Sequence, residues 1–407
     1  MSISGDHRVA VKMVAVLAAA QLLAMALWFS ASAVVPQLEL EWGLDAGQKA
    51  WLTMSVQIGF VIGALASALT NLADRISGRW LVAGAALLGA ACNLAIPLFD
   101  VGPQTAMVLR FLTGFALAGV YPPAMKLVAS WVTSWRGLAI GILIGAITVG
   151  SAVPHLMNAL GGTGIPEWRS VMYASSAMAV VAALISAVWV RPGPHLAQSA
   201  PFNWKFALEA FRYKPTRLAN FGYLGHMWEL YAMWTWVPLT LVASFEVAGI
   251  QAQWGRLAGF ATIAVGGVGC VVAGKMADRF GRTKVTVWSM AVSGFCCLIA
   301  GFFLHSPWLL AAVCLVWGFA VVADSAQFST AISELSDPRY VGTALTLQTS
   351  LGFLLTLLTI RLVPTLQASI DPRFVYAFLA IGPLFGIWSM LKLSRHPEAK
   401  KMAGGRC

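Results

Sequence analysis

Charged side chains are scarce in this 407-residue sequence: only 11% of its residues are Asp, Glu, Lys or Arg, whereas 59% are hydrophobic. The sequence also lacks the spacing of a zinc site, a nucleophile elbow, a phosphate-binding loop and a polar stretch long enough for a sizeable soluble domain. These absences argue against an enzyme, although a membrane enzyme or sensor is kept as an alternative. The composition itself is typical of an integral protein of the lipid bilayer.

Cysteine is also rare and forms no recognisable pattern. Five of the six cysteines lie within apolar stretches, and Cys407 ends the chain. Neither a disulfide framework nor the spacing of metal ligands is visible. We therefore predict no metal and no cofactor, and a single histidine and methionine on one helix face are weak support for copper transport.

Long apolar runs, in contrast, recur along the whole chain. About 20 mostly apolar residues in a helix cross the roughly 30 Å hydrocarbon core of a bilayer, and twelve such runs are separated by short polar breaks. The first run is too long for a signal peptide and is not followed by a small-residue cleavage site. We predict an all-α polytopic membrane protein with 12 transmembrane helices. The predicted helices lie near Val11–Gln37, Lys49–Leu72, Arg79–Phe99, Thr105–Val132, Leu138–Leu160, Trp168–Val190, Arg217–Phe245, Gln251–Ala277, Thr283–Leu304, Pro307–Glu334, Tyr340–Ala368 and Phe374–Leu393.

Positive charge is unevenly distributed between the predicted connections. Most of the 27 lysines and arginines fall at the termini or in the even-numbered connections, and only Lys49, Arg169 and Arg373 fall on the other side. Because basic loops stay in the cytoplasm, both termini are predicted to be cytoplasmic, in a plasma membrane and specifically a bacterial inner membrane. This bias accounts for the net charge of +11 without nucleic acid, for which no motif is present.

The sequence is internally duplicated. "LADRISGR" at Leu72–Arg79 is similar to "MADRFGR" at Met276–Arg282, and "GFALAG" at Gly114–Gly119 is similar to "GFAVVA" at Gly318–Ala323. Both pairs are offset by 204 residues. Duplicated halves are the symmetry with which secondary transporters place a substrate site at the membrane midplane, so transport is the leading hypothesis.

A long polar connection divides the two copies. It runs from Arg191 to Arg217 and contains an amphipathic stretch, Trp204–Phe211, which we interpret as a surface helix. We predict an N-terminal six-helix bundle at 1–190, a cytoplasmic linker at 191–216, and a C-terminal six-helix bundle with a cytoplasmic tail at 217–407.

The duplicated loops carry a family resemblance. "GKMADRFGRTK" at Gly274–Lys284 and "TNLADRISGRW" at Thr70–Trp80 resemble the Gly-x-x-x-Asp-Arg-x-Gly-Arg loop signature of the major facilitator superfamily. The resemblance covers the whole chain and implies two pseudo-symmetric six-helix bundles, transport by alternating access and a monomer. The first loop departs from the pattern, with Thr70 at the glycine position and Ser77 as an extra residue. The resemblance implies a cytoplasmic gate formed by Asp74, Arg75, Arg79, Asp278, Arg279 and Arg282.

Helix 4 contains an arginine within the membrane. "RFLTG", Arg110–Gly114, resembles the arginine signature of the same family, which implies that Arg110 faces the central cavity. An arginine in a helix centre costs about 2.5–3.5 kcal/mol on insertion scales, so it normally faces water or a partner. Tyr121 shares the face of Arg110, whereas Lys126 lies on nearly the opposite face, near the cytoplasmic end. Arg110 and Tyr121 are candidate substrate-binding residues, and Lys126 is interpreted as structural.

Helix 5 carries Gly141 and Gly145 on one face, a spacing that lets two helices pack closely. The exporter signature of the family would place a Gly-Pro pair in this helix, but the sequence reads "GSAVPHL" there. This difference argues against drug antiport, and proton-coupled efflux of drugs or metabolites is kept as an alternative.

Helix 7 carries two ionisable residues in an otherwise apolar stretch. His226, Glu229 and Met233 lie at i, i+3 and i+7 and form one stripe, which Trp236 borders. The first-half counterpart, Met25–Pro36, has no ionisable residue. We expect the stripe to face the cavity, where Glu229 and His226 could exchange a proton. The alternative is a structural ion pair of Glu229 with an arginine, or a hydrogen bond to His226.

Helix 10 adds Asp324 as a third proton-coupling candidate. Further candidates for substrate binding are Trp236, Gln327, Arg256, Arg361 and Gln348. Fixed arginines opposite titratable carboxylates suit an anion, so we predict proton-coupled symport, and hence uptake, of a small organic anion. Nitrate or nitrite transport is an alternative, although the glycine-rich asparagine signatures of the nitrate carriers in the family are absent.

Overall fold

The computed structural model describes residues 3–132, 135–160, 168–196, 211–337 and 340–406, with the side chains of 3–6 and Asp74 left undescribed. Within these ranges there is no β-strand, and twelve helices are long and apolar enough to cross a membrane. The predicted all-α polytopic fold is therefore confirmed, whereas most of the predicted surface helix Trp204–Phe211 lies outside the described residues. The helices are α1 Ile3–Met25, α2 Ala46–Leu69, α3 Gly78–Leu98, α4 Pro103–Trp131, α5 Arg136–Leu160, α6 Trp168–Trp189, α7 Lys214–Val247, α8 Ala252–Phe280, α9 Arg282–Phe303, α10 Pro307–Leu335, α11 Val341–Gln367 and α12 Pro372–Ser394.

Twelve successive crossings place both chain ends on one side of the helical bundle, here called the termini side; the opposite side is the far side. The first six helices pack on one another, mainly through α1 with α5 and α6, α2 with α4, and α3 with α6. The second six do the same through α7 with α11 and α12, α8 with α10, and α9 with α12. The two sets meet along two seams, α5 with α8 and α2 with α11.

Glycine residues allow α5 and α8 to pack closely against each other. A Cβ atom at Gly141 would lie 2.8 Å from the carbonyl oxygen of Cys270, and one at Gly145 would lie 2.8 Å from that of Gly267. Both distances are too short for a side chain, so these helices contact each other through their backbones.

Two helices are broken at equivalent places. α4 consists of Pro103–Leu117 and Tyr121–Trp131, and α10 consists of Pro307–Ala323 and Ser325–Leu335. In α4 two prolines follow the break; they lack a backbone N–H and clash with the preceding turn. In α10 the break is the single residue Asp324, whose carbonyl accepts a hydrogen bond from the N–H of Gln327 at 2.9 Å. An acidic residue there is favoured by the dipole of the helix that follows.

Aromatic rings close the bundle toward the far side. Phe353 of α11 lies 4.8 Å from Phe60 of α2, 5.3 Å from Trp28, which follows α1, and 5.0 Å from Tyr231 of α7, measured between ring centroids. We call these four residues the aromatic plug. Because these residues come from both sets of six helices, the plug joins the two sets.

Candidate functional site

A cavity of about 350 Å³ lies between the two sets of helices. Its volume is within the range of pockets that hold a small molecule. It extends from Tyr121, whose ring lies 6.2 Å from Phe60 of the aromatic plug, to Asn71 and His195 in connections on the termini side. α2, α4, α5, α10 and α11 provide its walls, including Ser67, Tyr121, Lys126, Arg136, Ser329, Thr346 and Thr349.

The cavity is electropositive. Lys126 and Arg136 line it, and none of the lining side chains described is a carboxylate. The remaining walls are mainly apolar or hydroxyl-bearing side chains, together with Asn71, the imidazole of His195 and the phenol of Tyr121. Such a surface suits a small anion that combines a charged group with an apolar body.

Lys126 therefore lies on a face that the sequence did not indicate. The prediction extrapolated an unbroken helix from Arg110, which put Lys126 on the opposite face. In the structure the chain turns between Leu117 and Tyr121, which changes the helical phase of everything that follows. Tyr121 and Lys126 both line the cavity as a result.

Arg110 is buried away from the cavity, and its predicted exposure there is wrong. Its side chain is 0% exposed, and its guanidinium donates to the carbonyl oxygen of Leu27 at 2.7 Å, to that of Trp28, and to the hydroxyl of Ser30 at 3.0 Å. α1 ends at Met25, so these carbonyls have no helical partner. The planar fork of an arginine satisfies several such acceptors at once.

The imidazole of His226 faces the buried carboxyl group of Asp324, rather than Glu229, its predicted proton-exchange partner. The Nδ1 atom of His226 lies 2.8 Å from Oδ1 of Asp324, and the two side chains are 1% and 2% exposed. The pair joins α7 to the break in α10. A break in a helix and a titratable pair therefore coincide.

Glu229 is held inside the second set of helices and does not line the cavity. Its carboxylate accepts hydrogen bonds from the Ser293 hydroxyl at 3.0 Å, the Cys297 thiol at 3.1 Å and the indole N–H of Trp317. Spacing along α7 showed that His226 and Glu229 share a face. It did not show that this face packs on α9 and α10.

The other predicted substrate residues are dispersed. The indole N–H of Trp236 donates to the Ile360 carbonyl at 3.0 Å and so ties α7 to α11. Arg256 lies near the start of α8 on the far side, and the exposed Arg361 contacts the first turn of α2 there. These three residues are remote from the cavity walls, which corrects the expected cluster.

Two buried glutamines lie nearer the candidate site. The side-chain oxygen of Gln327 accepts a hydrogen bond from Arg282 at 3.0 Å. Gln348 is 1% exposed and precedes Thr349, which lines the cavity.

The second signature loop is bound on the termini side. Arg282 forms a two-pronged ion pair with Glu334, both distances being 2.7 Å, and lies 3.6 Å from Asp278. The backbone N–H of Leu138 donates to the Asp278 carboxylate, which links this loop to the start of α5. Glu334 was missed by the sequence reasoning, because the signature does not include α10.

The first signature loop has a different environment. Arg75 is exposed, and Arg79 lies over the ring of its neighbour Trp80 at 5.2 Å. In the second loop Arg279 is also exposed and lies over Phe280. The predicted gate residue Asp74 has a side chain outside the described part of the chain.

These features can now be compared with known proteins. A model of the Major Facilitator Superfamily matches residues 17–245 and 219–406. The chain belongs to the major facilitator superfamily. Proteins of this family are transporters rather than enzymes, so the predicted resemblance and transport class are confirmed. The chain is a multi-pass membrane protein of this transporter family.

Solved structures of superfamily members have the same fold. The proton:xylose symporter XylE is similar with a TM-score of 0.71 and 16% identity, and the alignment covers 95% of this chain and 96% of XylE. FucP in its outward conformation is similar with a TM-score of 0.66 and 15% identity, over 94% and 99% of the two chains.

Superfamily members with named substrates match part of the chain. The 4-hydroxybenzoate transporter PcaK of Pseudomonas putida is 29% identical over 39% of this chain, and the gallate transporter of Pseudomonas putida is 30% identical over 38%. Each match spans only 34% of the relative's own length. A quinolone resistance transporter of Acinetobacter baumannii is 24% identical over 56% of this chain and 58% of its own.

Proposed function

We propose that this transporter takes up a small aromatic carboxylate together with a proton, by alternating access. The observation that carries the proposal is the cavity: it is lined by Lys126 and Arg136 without a carboxylate among its described walls, and it ends at aromatic rings. Two of the similar proteins are named for 4-hydroxybenzoate and gallate, which are aromatic acids.

The cavity offers two kinds of contact to such a substrate. The carboxylate of the substrate would lie toward the cationic side chains of Lys126 and Arg136, and the ring of the substrate would lie against Tyr121. The hydroxyl groups of Thr346 and Thr349 on the facing wall are available to ring substituents. Aromatic stacking and charge pairing in a half-enclosed site both favour a flat anion over a sugar.

The proton site in this proposal is the pair of His226 and Asp324. With one proton the pair is neutral overall, and without it the pair carries one negative charge. The negative charge of the deprotonated pair disfavours binding of the substrate carboxylate in the cavity. Protonation of the pair therefore favours substrate binding, and substrate binding favours protonation of the pair. α10 connects the two sites, because it carries both Asp324 and the cavity residue Ser329.

Alternating access requires a closure on each side. The aromatic plug is the closure toward the far side, and the contacts of Asp278 and Arg282 are the closure on the termini side. The abundance of basic residues in the termini-side connections supports a cytoplasmic assignment for that side, in a bacterial inner membrane. Every part named lies within a single chain, and we propose a monomer as the working unit.

Purified protein in proteoliposomes tests this function. An inward proton gradient should drive accumulation of radiolabelled 4-hydroxybenzoate or gallate, accompanied by proton entry. Nitrate, nitrite and xylose serve as comparison solutes and should not accumulate. A gradient that expels quinolones, as the Acinetobacter relative would suggest, or that moves no aromatic acid, would contradict the proposal.

A further inference from the structure

We infer that protons reach the buried pair of His226 and Asp324 from the cavity along a path through Thr349 and Tyr223. The inference rests on the proposed function, because it gives the route by which protons reach the site that couples them to substrate uptake. A route is needed, since both members of the pair are almost fully buried.

Thr349 and Tyr223 connect the cavity wall to α7. Thr349 lines the cavity; its hydroxyl donates to the Leu345 carbonyl at 2.7 Å, and its oxygen accepts a hydrogen bond from the Tyr223 hydroxyl. The Tyr223 side chain is 7% exposed, and its ring lies flat on α11 at Gly352, where a Cβ atom would be 2.4 Å from the ring. Only a glycine at position 352 allows the phenol to occupy this place.

Tyr223 also adjoins the pair on its other side. The rings of Tyr223 and His226 are one turn apart on α7, with centroids separated by 6.0 Å. The ring of Phe328, which belongs to α10, lies 6.1 Å from the ring of Tyr223 and 5.6 Å from that of His226, so it packs against both. The phenol is thus the polar neighbour of the imidazole toward the cavity.

The imidazole is arranged to relay a proton. Nδ1 of His226 faces Asp324, whereas Nε2 has no hydrogen-bond partner among the residues that the structure describes. Both amide atoms of Gln348, beside Thr349, are buried and equally unpartnered within the described chain. Buried polar atoms of this kind commonly bind an internal water, and one water between phenol and imidazole completes the path.

The proton balance of the path is simple. The phenol oxygen takes a proton from the cavity side while its own proton passes to Nε2, and the imidazole releases a proton from Nδ1 to Asp324. One proton moves, Tyr223 returns to its starting form, and His226 is left with its proton on Nε2 instead of Nδ1; release of the proton from Asp324 along the same path reverses this change of tautomer. Asp324 is the only group whose charge changes.

Other titratable groups around the pair are engaged elsewhere. Glu229 accepts three hydrogen bonds, one of them from Cys297 of α9, and Cys270 of α8 donates to the Val322 carbonyl at 3.3 Å. Tyr121 of α4 faces the cavity. These groups set the field at the pair, but Tyr223 is the group with a hydrogen bond to the cavity wall.

The test compares two buried tyrosines that each bond a threonine. Tyr223→Phe removes the hydroxyl of the path, and Tyr376→Phe removes one that bonds Thr240 at 2.5 Å elsewhere in the same half. Proton-driven uptake by Tyr223→Phe should be slower by on the order of tenfold, because a positioned proton donor is lost. Substrate exchange, which needs no net proton transfer, should be unchanged, and Tyr376→Phe should match the unmodified protein in both assays.

A second variant keeps the test independent of Tyr223. Thr349→Val has nearly the same shape and should lower the ratio of proton-driven uptake to substrate exchange, both measured on the same variant, so that any loss of substrate contact in the cavity affects both rates and cancels. If Tyr223→Phe and Thr349→Val both take up protons as fast as Tyr376→Phe, the path is wrong although the proposed function stands. If the unmodified protein moves no protons with substrate, the proposed function and the path both fail.

Discussion

The two halves of the transporter bury opposite charges beside equivalent residues, Asn93 in the first half and Cys297 in the second. In the first half Arg110 binds backbone carbonyls beyond the end of α1, with Asn93 of α3 at 3.3 Å. In the second half Glu229, which corresponds to Met25 at the offset of 204 residues, binds donors that include Cys297, the counterpart of Asn93. The scaffold therefore keeps a polar centre at the same depth in each half, but only the second is an acid.

The helix breaks repeat this difference. Val120 in the break of α4 and Asp324 in the break of α10 are counterparts at the same offset. The side-chain amide of Gln21 donates to the Val120 carbonyl at 3.3 Å, whereas His226 pairs with Asp324 at 2.8 Å. A neutral amide clamps one break and a titratable pair clamps the other. Proton chemistry is thus expected in the second half alone.

The largest effect should follow from neutralising Asp324, the acidic residue in the break of α10. Asp324→Asn should abolish accumulation of substrate against its gradient while substrate exchange persists, because the pair can no longer change its charge. Uptake and counterflow in proteoliposomes measure the two separately. The matched change in the other half, Gln21→Leu, should leave accumulation intact. Accumulation that survives Asp324→Asn would remove this residue from the coupling site.

The next largest effect should come from replacing Arg110, the buried charge of the first half. Arg110→Lys removes the planar fork and leaves buried carbonyls unsatisfied, at about 1–3 kcal/mol for each. We expect a lower free energy of unfolding in detergent with an unchanged apparent affinity for 4-hydroxybenzoate. A weaker affinity at unchanged stability would instead put Arg110 in the substrate site.

Neutralising a cationic side chain of the cavity should have the opposite balance of effects, with a larger change in substrate affinity than in stability. Lys126→Gln should weaken the apparent affinity for an aromatic carboxylate on the order of tenfold, equivalent to about 1.4 kcal/mol, and lower the free energy of unfolding less than Arg110→Lys does. Lys49→Gln is the control, because Lys49 pairs with Glu39 on the far side at 2.8 Å. Equal affinities of the two variants would exclude Lys126 from substrate binding.

The smallest effect should come from an exposed acid outside the helices. Arg373 holds the pKa of Asp371 at about 2, through hydrogen bonds to its carboxylate. A lowered pKa stabilises the folded state above the ordinary range of an aspartate, and this contribution is lost only as the pH falls toward 2. Asp371→Asn should therefore leave the transport profile between pH 5 and 8 unchanged. A shifted profile would show that coupling involves the α11–α12 connection.

The sequence predicted the helices and the family well, because apolar length and loop charge are local properties. It failed on the direction of individual side chains. Residue spacing showed that His226 and Glu229 share a face, but not which helices cover it. The break in α4 changed the phase between Arg110 and Lys126 and so exchanged their predicted roles. The serines and the proline of "FSASAVVP" after Met25 were a signal of unwound carbonyls that an arginine could satisfy.

The central claim is that substrate and proton bind together through the titratable break of α10. Mixing the purified transporter with 4-hydroxybenzoate in weakly buffered detergent solution, with a pH-sensitive dye, measures protons taken up on binding. The unmodified protein and Gln21→Leu should take up protons, and Asp324→Asn should bind substrate without doing so. Equal proton uptake by Asp324→Asn and the unmodified protein would contradict the account.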